Sequence, residues 1–283
     1  MPVVDIVLDL PDRKPRLLLD LDDRHSNERT IAGWIQGGRF YEPDVSLALT
    51  RLVREGDCAV DIGANAGFFT ILLGALTGPA GRVLSVEPGT GNLERLRNNI
   101  AINGFGHVTV LDRPVSDAEG PVSFFINSDD SGGNALWDPG RFPANERSRA
   151  MPVVNSLQAT TLEKAVAEAC LPVPRLIKID TEGAEQRILE GAGALLRDRR
   201  VPYVVAELHE FGLEQMGGSQ AGLRRLMEGF GYATFLLNHD GSLPKLIPAG
   251  TAIRANHFPN LLFSTPEAVA AGWPEEQVQV LMP

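Results

Sequence analysis

The sequence predicts an α/β fold with a mostly parallel sheet, helices on both faces and an N-terminal cap. The first observation behind this is that short apolar runs alternate with helical stretches of ten or more residues, a pattern typical of a parallel sheet covered on both faces. The second is the segment DCAVDIGANAGFF at 57–69, where a buried strand, a glycine turn and a helix follow one another. Such a turn places free backbone N–H groups and a helix N-terminus beside a crevice.

The N-terminal residues are predicted to form one or two strands and then a cap or lid segment with a short helix. Trp34, Phe40 and Tyr41 are set among glycines in this cap. They either form a stacking platform for a sugar or ring, or fill the core under the helix predicted at 46–54. The predicted boundaries are 1–50 for the strands and cap, 51–266 for the main domain and 267–283 for a C-terminal tail.

The main domain is predicted from a regular alternation of segments. An alternating run at 120–127 predicts an extra hairpin strand, and 128–145, rich in Gly, Asp, Ser, Pro and Asn, predicts a loop. The strand-like segments are 58–63, 82–87, 108–111, 176–180, 201–208, 233–237 and 261–263, and the helical segments are 65–76, 89–103, 157–170, 184–196 and 219–230.

The composition argues against a nucleic-acid partner. Of 283 residues, 26 are basic and 36 acidic, for a formal net charge of −10, and an acidic protein repels phosphate backbones unless it has a local basic patch. The densest basic run, Arg197, Arg199 and Arg200, lies where a predicted helix ends, and cations are favourable there. We therefore expect no nucleic-acid binding.

The two cysteines, Cys58 and Cys170, do not make a disulfide framework in a chain of this length. The first ten residues lack both a basic start and a long apolar run, so no signal peptide, membrane span or membrane partner is expected. A cytoplasmic setting is the resulting prediction. Pairing of the N-terminal strands between two copies, giving a homodimer, is a further hypothesis.

Acidic residues follow the predicted core strands. Asp61 lies just before the glycine turn, Glu87 ends the second strand twenty residues beyond Gly67, and Asp180 ends a later strand. An acid about twenty residues after such a turn is placed to accept the ribose hydroxyls of an adenosine. The alternative for Glu87 is a helix-initiating acid before Pro88, and we favour the ribose interpretation.

The glycine turn differs in sequence from the turns that bind nucleotides with phosphates. In a G-x-G-x-x-G turn small residues let a pyrophosphate approach the helix, but here Asn65 replaces the second glycine and Phe68 lies close to the third. No Gly-Lys-Ser/Thr follows either. An adenosine with a compact zwitterionic tail, such as S-adenosylmethionine (SAM), fits better, with Asp61 balancing its ammonium or sulfonium. An NAD-dependent oxidoreductase is the disfavoured alternative.

Five segments together resemble the FkbM-type SAM-dependent methyltransferases: VDIGANAGFFT, VEPGTGNLERLRNNIAIN, PVSDAEGPVSF, LIKIDTEGAEQRILEGA and VVAELH. The resemblance covers roughly residues 40–263. It implies a Rossmann-like, seven-stranded class I methyltransferase sheet and transfer of methyl from SAM to a hydroxyl of a sugar or natural product, with S-adenosylhomocysteine (SAH) as product. The expected cofactor-binding residues are Asp61, Gly63, Ala64, Asn65, Gly67, Phe68, Glu87, Pro88, Ser116, Asp117 and Asp180.

Methyl transfer is an in-line displacement, and a hydroxyl nucleophile needs its proton taken by a base or its pKa lowered by a metal. His209 ends a predicted strand, and imidazole suits proton removal near neutral pH, so we expect it to be the base rather than a hydrogen-bonded structural histidine. Asp180 lies beside the expected transfer point, or caps the next helix. Spacing alone makes Glu182 structural, but the resemblance implies that it points into the site.

Three further assignments stay open in the sequence. Asp180, Glu207 and His209 could bind Mg²⁺ or another divalent ion, but we favour metal-independent catalysis. Ser116 and Asp117 either contact the adenine or form an ordinary turn. The segment NSDDSGGNALWDPG, with Trp137, is either a mobile lid over the acceptor or a surface loop. N- or carboxyl methylation and a non-catalytic SAM-binding module are the remaining alternatives.

Overall fold

The computed structural model describes residues 3–10, 13–255 and 257–274. It begins with an antiparallel hairpin of strands β1 (Val4–Val7) and β2 (Arg16–Leu19), followed by helices α1 (Ser26–Gln36) and α2 (Pro43–Leu52). These are the predicted strands and cap. Residues 11–12, between these two strands, and most of the predicted C-terminal tail lie outside the described residues.

The remaining strands form two sheets. The smaller sheet has three strands, in the order β6-β8-β7, and includes the predicted hairpin strand. The strands are β3 (Cys58–Ile62), β4 (Arg82–Val86), β5 (Val108–Leu111), β6 (Val115–Ser116), β7 (Gly120–Ile126), β8 (Val153–Thr161), β9 (Leu176–Ile179), β10 (Tyr203–Glu207), β11 (Ala233–Leu236), β12 (Lys245–Ile247) and β13 (Asn260–Ser264).

The main sheet has the order β12-β11-β13-β10-β9-β3-β4-β5. The pairs from β10 to β5 are parallel, whereas β13 runs antiparallel to both β10 and β11. The seven predicted strands are all present, and the short strand β12 extends the edge. The predicted Rossmann-like α/β fold is confirmed.

Helices cover both faces of this sheet and bury two apolar clusters. The N-terminal hairpin, α1 and α2 pack with α3 on one face, so the cap shares its core with the sheet. The other face packs against α6, α7 and α10. The helices after α2 are α3 (Phe68–Thr77), α4 (Thr90–Ile102), α5 (Glu146–Ala150), α6 (Leu162–Glu168), α7 (Glu185–Glu190), α8 (Gly193–Leu196), α9 (Glu210–Gln215), α10 (Gln220–Gly229) and α11 (Pro266–Gly272).

The predicted helix at 157–170 is wrong in its first part. Residues 153–161 form β8, which pairs antiparallel with β7 over 153–159 and parallel with β6 at 160–161, and only 162–168 are helical. Most of β8 is exposed, so its sequence carries no alternating apolar pattern, and its pairing partner decides its conformation. The predicted helix at 184–196 is likewise divided into α7 and α8.

The carboxyl ends of β3 and β9 lie side by side at the point where the strand order of the sheet reverses. β3 lies beside β9, and Gly63, which follows β3, has a left-handed backbone with φ of 81°. A Cβ atom at Gly63 would lie 1.7 Å from the carbonyl oxygen of Asp180, so this approach requires glycine. Ligand crevices of open α/β sheets form at this point. Within the described residues, no helix is long and apolar enough to cross a membrane.

Candidate active site

A cavity of about 340 Å³ opens at the carboxyl ends of β3, β4, β9 and β10. Its size is within the range of small-molecule sites. One end is formed by the glycine turn and Glu87, and the other by Asp180, Glu182, Glu207 and His209. Among the predicted cofactor-binding residues, Gly63, Ala64, Asn65, Phe68, Glu87, Pro88 and Asp180 line this cavity.

Glu87 is the buried carboxylate of the first end. Its two oxygens accept backbone N–H bonds from Asn65, over 2.8 Å, and Gly89, over 2.7 Å, which fix its orientation. Burial raises the pKa of Glu87 to about 7, although these N–H groups oppose the shift. Each oxygen keeps a further lone pair for a hydroxyl donor.

Asn65 provides a second acceptor at this end. It has a left-handed backbone with φ of 51°, and its side-chain oxygen is buried with no hydrogen-bond partner in the described part of the chain. A buried acceptor without a donor is costly. The ribose hydroxyls and the ammonium of SAM are donors of the kind that Glu87 and Asn65 lack, so these residues fit the cofactor.

The other predicted cofactor-binding residues do not line the cavity. Asp61 is buried behind it, where its carboxylate accepts a 2.6 Å bond from the Thr70 hydroxyl. Gly67 caps the start of α3. The Ser116 hydroxyl donates to the Asp117 carboxylate over 2.8 Å, and the contact of this pair with the adenine stays a prediction.

Lys178 is a buried cation that lines the cavity, and the sequence analysis did not identify it. Its buried ammonium lies 3.0 Å from an oxygen of Asp180, 3.8 Å from an oxygen of Asp61 and 4.5 Å from the ring centroid of Phe69. Burial alone would lower the pKa of Lys178, but Asp180 and Asp61 raise it above its ordinary value. A lysine inside the apolar strand LIKI was the signal available in the sequence.

Three carboxylates lie together at the second end. Asp180, Glu182 and Glu207 each have an oxygen within 4.8 Å of the others'. Burial, and then the charge of Asp180, raise the pKa of both Glu182 and Glu207 well above the ordinary value. This donor set suits a hard cation such as Mg²⁺. The structure thus brings together the predicted Asp180 and Glu182.

Glu42 adds a fourth carboxylate to this group and carried no signal in the sequence. It precedes α2 with a left-handed backbone, φ 41°, and lines the cavity. Burial, and then Asp180, raise its pKa to about 7. Of the three cap aromatics, only Tyr41 lines the cavity, and its ring packs edge-on against Phe68 at 5.5 Å.

His209 is held by the start of α9. Its Nδ1 accepts a 2.8 Å hydrogen bond from the backbone N–H of Gly212, so the neutral ring carries its proton on Nε2. That Nε2 lies 3.2 Å from a carboxylate oxygen of Glu182. Burial lowers the pKa of His209. Nε2 thus lies against the Glu182 carboxylate, and the role of His209 as the general base stays a prediction.

Aromatic side chains close this end of the cavity. The predicted lid segment crosses it, and the indole N–H of Trp137 donates to the backbone oxygen of Glu182 over 2.6 Å. The ring of Phe258 lies 4.1 Å from that of His209, and Phe142 lies 6.1 Å from it. The acidic group thus has an aromatic wall on one side.

The chain is similar to a known family and to a known protein. Residues 61–234, more than half of the chain, match the model of the methyltransferase FkbM domain. The chain is 25% identical over 170 residues to the hexuronic acid methyltransferase AglP of Haloferax volcanii; the match covers 59% of this chain and 62% of that relative.

Solved structures also resemble this one. A putative O-methyltransferase from Klebsiella pneumoniae is 13% identical, with a TM-score of 0.43, over 84% of this chain and 88% of that chain. Fibrillarin from Aeropyrum pernix, solved with bound SAM, is 14% identical, with a TM-score of 0.43, over 93% of this chain and 99% of that chain. These likenesses are too distant to support an argument about function. From the family match, the chain belongs to the FkbM methyltransferase family and carries the SAM-dependent methyltransferase domain of that family.

Proposed function

We propose that the protein is a SAM-dependent O-methyltransferase that methylates a hydroxyl of a small-molecule acceptor, a sugar or a secondary metabolite. The proposal rests on one observation: the two ends of a single cavity carry different chemical groups. Buried acceptors, Glu87 and Asn65, fit the donors of SAM at one end, and a group of carboxylates faces the acceptor at the other. When bound, SAM supplies an electrophilic methyl group on its sulfonium.

Glu182 is the base in this proposal. Its carboxylate oxygen takes the proton of the acceptor hydroxyl while the oxygen–methyl bond forms, the sulfur–methyl bond breaks and SAH leaves. Its raised pKa makes it a stronger base than an ordinary carboxylate. His209, whose Nε2 lies 3.2 Å from this carboxylate, orients it, and Asp180, held by Lys178, completes the group. The catalytic assignments of His209, Asp180 and Glu182 thus stay a proposal.

The acceptor class rests on the relative. AglP is named for a hexuronic acid, which supports a sugar acceptor, but the matched region spans less than two thirds of AglP. N- or carboxyl methylation of a small molecule is the alternative, because a group of carboxylates also suits removal of a proton from an amine. The site of methylation on the product distinguishes these reactions.

The first test is calorimetric titration of the protein with SAM and with SAH, with and without EDTA, and with NAD⁺ as the control. We expect micromolar binding of both SAM and SAH, unchanged by EDTA, and no NAD⁺ binding. SAH release in the presence of hydroxylated sugars then tests turnover. Binding of NAD⁺ without SAM would overturn the proposal, and loss of turnover with EDTA would assign the carboxylates to a metal.

A further inference from the structure

The acceptor end of the cavity carries more negative than positive charge. Glu42, Asp180, Glu182 and Glu207 line it, and within the described residues Lys178 is the single lysine or arginine side chain that does so. Lys178 is already shared between Asp180 and the buried Asp61. SAM carries two cationic groups and one carboxylate, so its positive charge is too small to balance the four acidic side chains at this end of the cavity.

Among the residues that the structure describes, Glu207 is the carboxylate of this group that has an unpartnered buried oxygen. One of its oxygens is buried and has no hydrogen-bond partner in the part of the chain that the structure describes. It lies within 4.8 Å of oxygens of Asp180 and Glu182, so like charges surround it. A buried carboxylate of this kind is stabilised by a cationic donor.

The cavity wall around His209, beside these carboxylates, is aromatic. Trp137, Phe142 and Phe258 line the cavity around His209. Phe258 is exposed at the rim, where an entering ligand meets it. Aromatic faces attract cations through their quadrupole, and ammonium recognition commonly combines them with carboxylates.

We propose that the acceptor carries an ammonium group beside the hydroxyl that is methylated, and that Glu207 binds this ammonium with Glu42 close by. The inference rests on the proposed function, since it names the acceptor class of the same site. An amino sugar or an amine-bearing metabolite has this chemistry. A uronic acid, the acceptor class in the name of AglP, adds a charge of the wrong sign to this cavity.

The test is calorimetry of the protein–SAH complex, in EDTA, with the methyl glycosides of glucosamine, glucose and glucuronic acid. These share a ring and differ in charge. We expect the amine to bind at least about tenfold more tightly than the neutral sugar, since one ion pair in a partly buried site is worth that much or more. The uronic acid should bind most weakly.

A matched variant assigns the preference to Glu207. Glu207→Gln should reduce the preference for the amine to about threefold or less and leave SAH binding unchanged, whereas Glu168→Gln, on the surface, should change neither. Equal or tighter binding of the neutral or anionic sugar overturns the inference, as does no binding of the amine. Neutral-sugar binding that appears only with Mg²⁺ also overturns it, because the carboxylates then hold a metal. Loss of SAH binding itself would instead contradict the proposed function.

Discussion

The backbone oxygen of Glu182 accepts a 2.6 Å hydrogen bond from the indole nitrogen of Trp137. This bond ties the segment that crosses the cavity to the strand end that carries the proposed base. Trp137→Phe keeps an aromatic ring but removes the donor. We expect kcat/KM for the acceptor to fall about tenfold, the value of one buried hydrogen bond. Initial rates of SAH release measure it, and Trp34→Phe, outside the cavity, is the control; equal rates would show that the bond does not position the site.

The relative loss of kcat in two variants identifies the base. Glu182→Gln removes the proposed proton acceptor and should lower kcat by about 10²–10⁴-fold. His209→Asn keeps an acceptor for the backbone N–H of Gly212 but loses the contact with Glu182, and it should lower kcat less. Single-turnover rates at saturating SAM measure both. The reverse order would make His209 the base, as the sequence analysis expected.

Glu87→Gln is expected to weaken SAM binding by about tenfold or more, because a charged acceptor for the ribose is lost. Since the pKa of Glu87 is raised to about 7, the carboxylate ionises as the pH rises through 7, and wild-type affinity should rise over that range. The variant should lack this contribution. Calorimetry at pH 6 and pH 8 measures both effects, with the exposed Asp112→Asn as control.

Glu42→Gln is expected to stabilise the SAM-free protein at pH 8 by about 2 kcal/mol. The folded-state pKa of Glu42 is raised to about 7, so the folded protein binds more protons than the unfolded chain between its ordinary pKa and 7. Its contribution to the free energy of unfolding therefore falls as the pH rises through this window. Urea unfolding at pH 4 and pH 8 measures it. A variant that gains as much at pH 4 as at pH 8 contradicts this account.

Lys178→Met is expected to destabilise the fold by roughly 3–5 kcal/mol, because Asp61 and Asp180 lose their buried cation. Adding Asp180→Asn should recover part of this loss. The exposed ion pair of Arg16 with Asp5 gives the control Arg16→Met, which should cost about 1 kcal/mol or less. Thermal unfolding compares the three; a Lys178→Met protein as stable as the wild type would show that the two carboxylates do not depend on this cation.

The parallel half of the fold was predictable because its signals are local. Each of these strands is a short apolar run, and the glycine turn marks where β3 ends. The sequence predicts a helix at 157–161 because the strand conformation of this segment depends on pairing with β7 and β6, which lie more than thirty residues earlier in the chain. Spacing along the chain contains no information about such a partner.

The candidate site was predictable where a residue ends a core strand, as Glu87, Asp180 and His209 do. Glu42 was not, because it enters the cavity through a left-handed backbone and the packing of the cap. The orientation of His209 was also hidden. Its position favours a base, whereas the hydrogen bond to Gly212 that fixes its proton is a property of the folded turn.

The placement of β13 between β10 and β11 has a consequence for synthesis on the ribosome. β11 emerges before β13, and until residue 264 has followed it β11 can pair with β12 but cannot join β10 through β13. At about 5–20 residues per second, the apolar edge of β10 stays open for several seconds after it leaves the tunnel. An open strand edge is a template for pairing with other chains. Nascent chains that stall between β11 and β13 are therefore the ones we expect to need a chaperone.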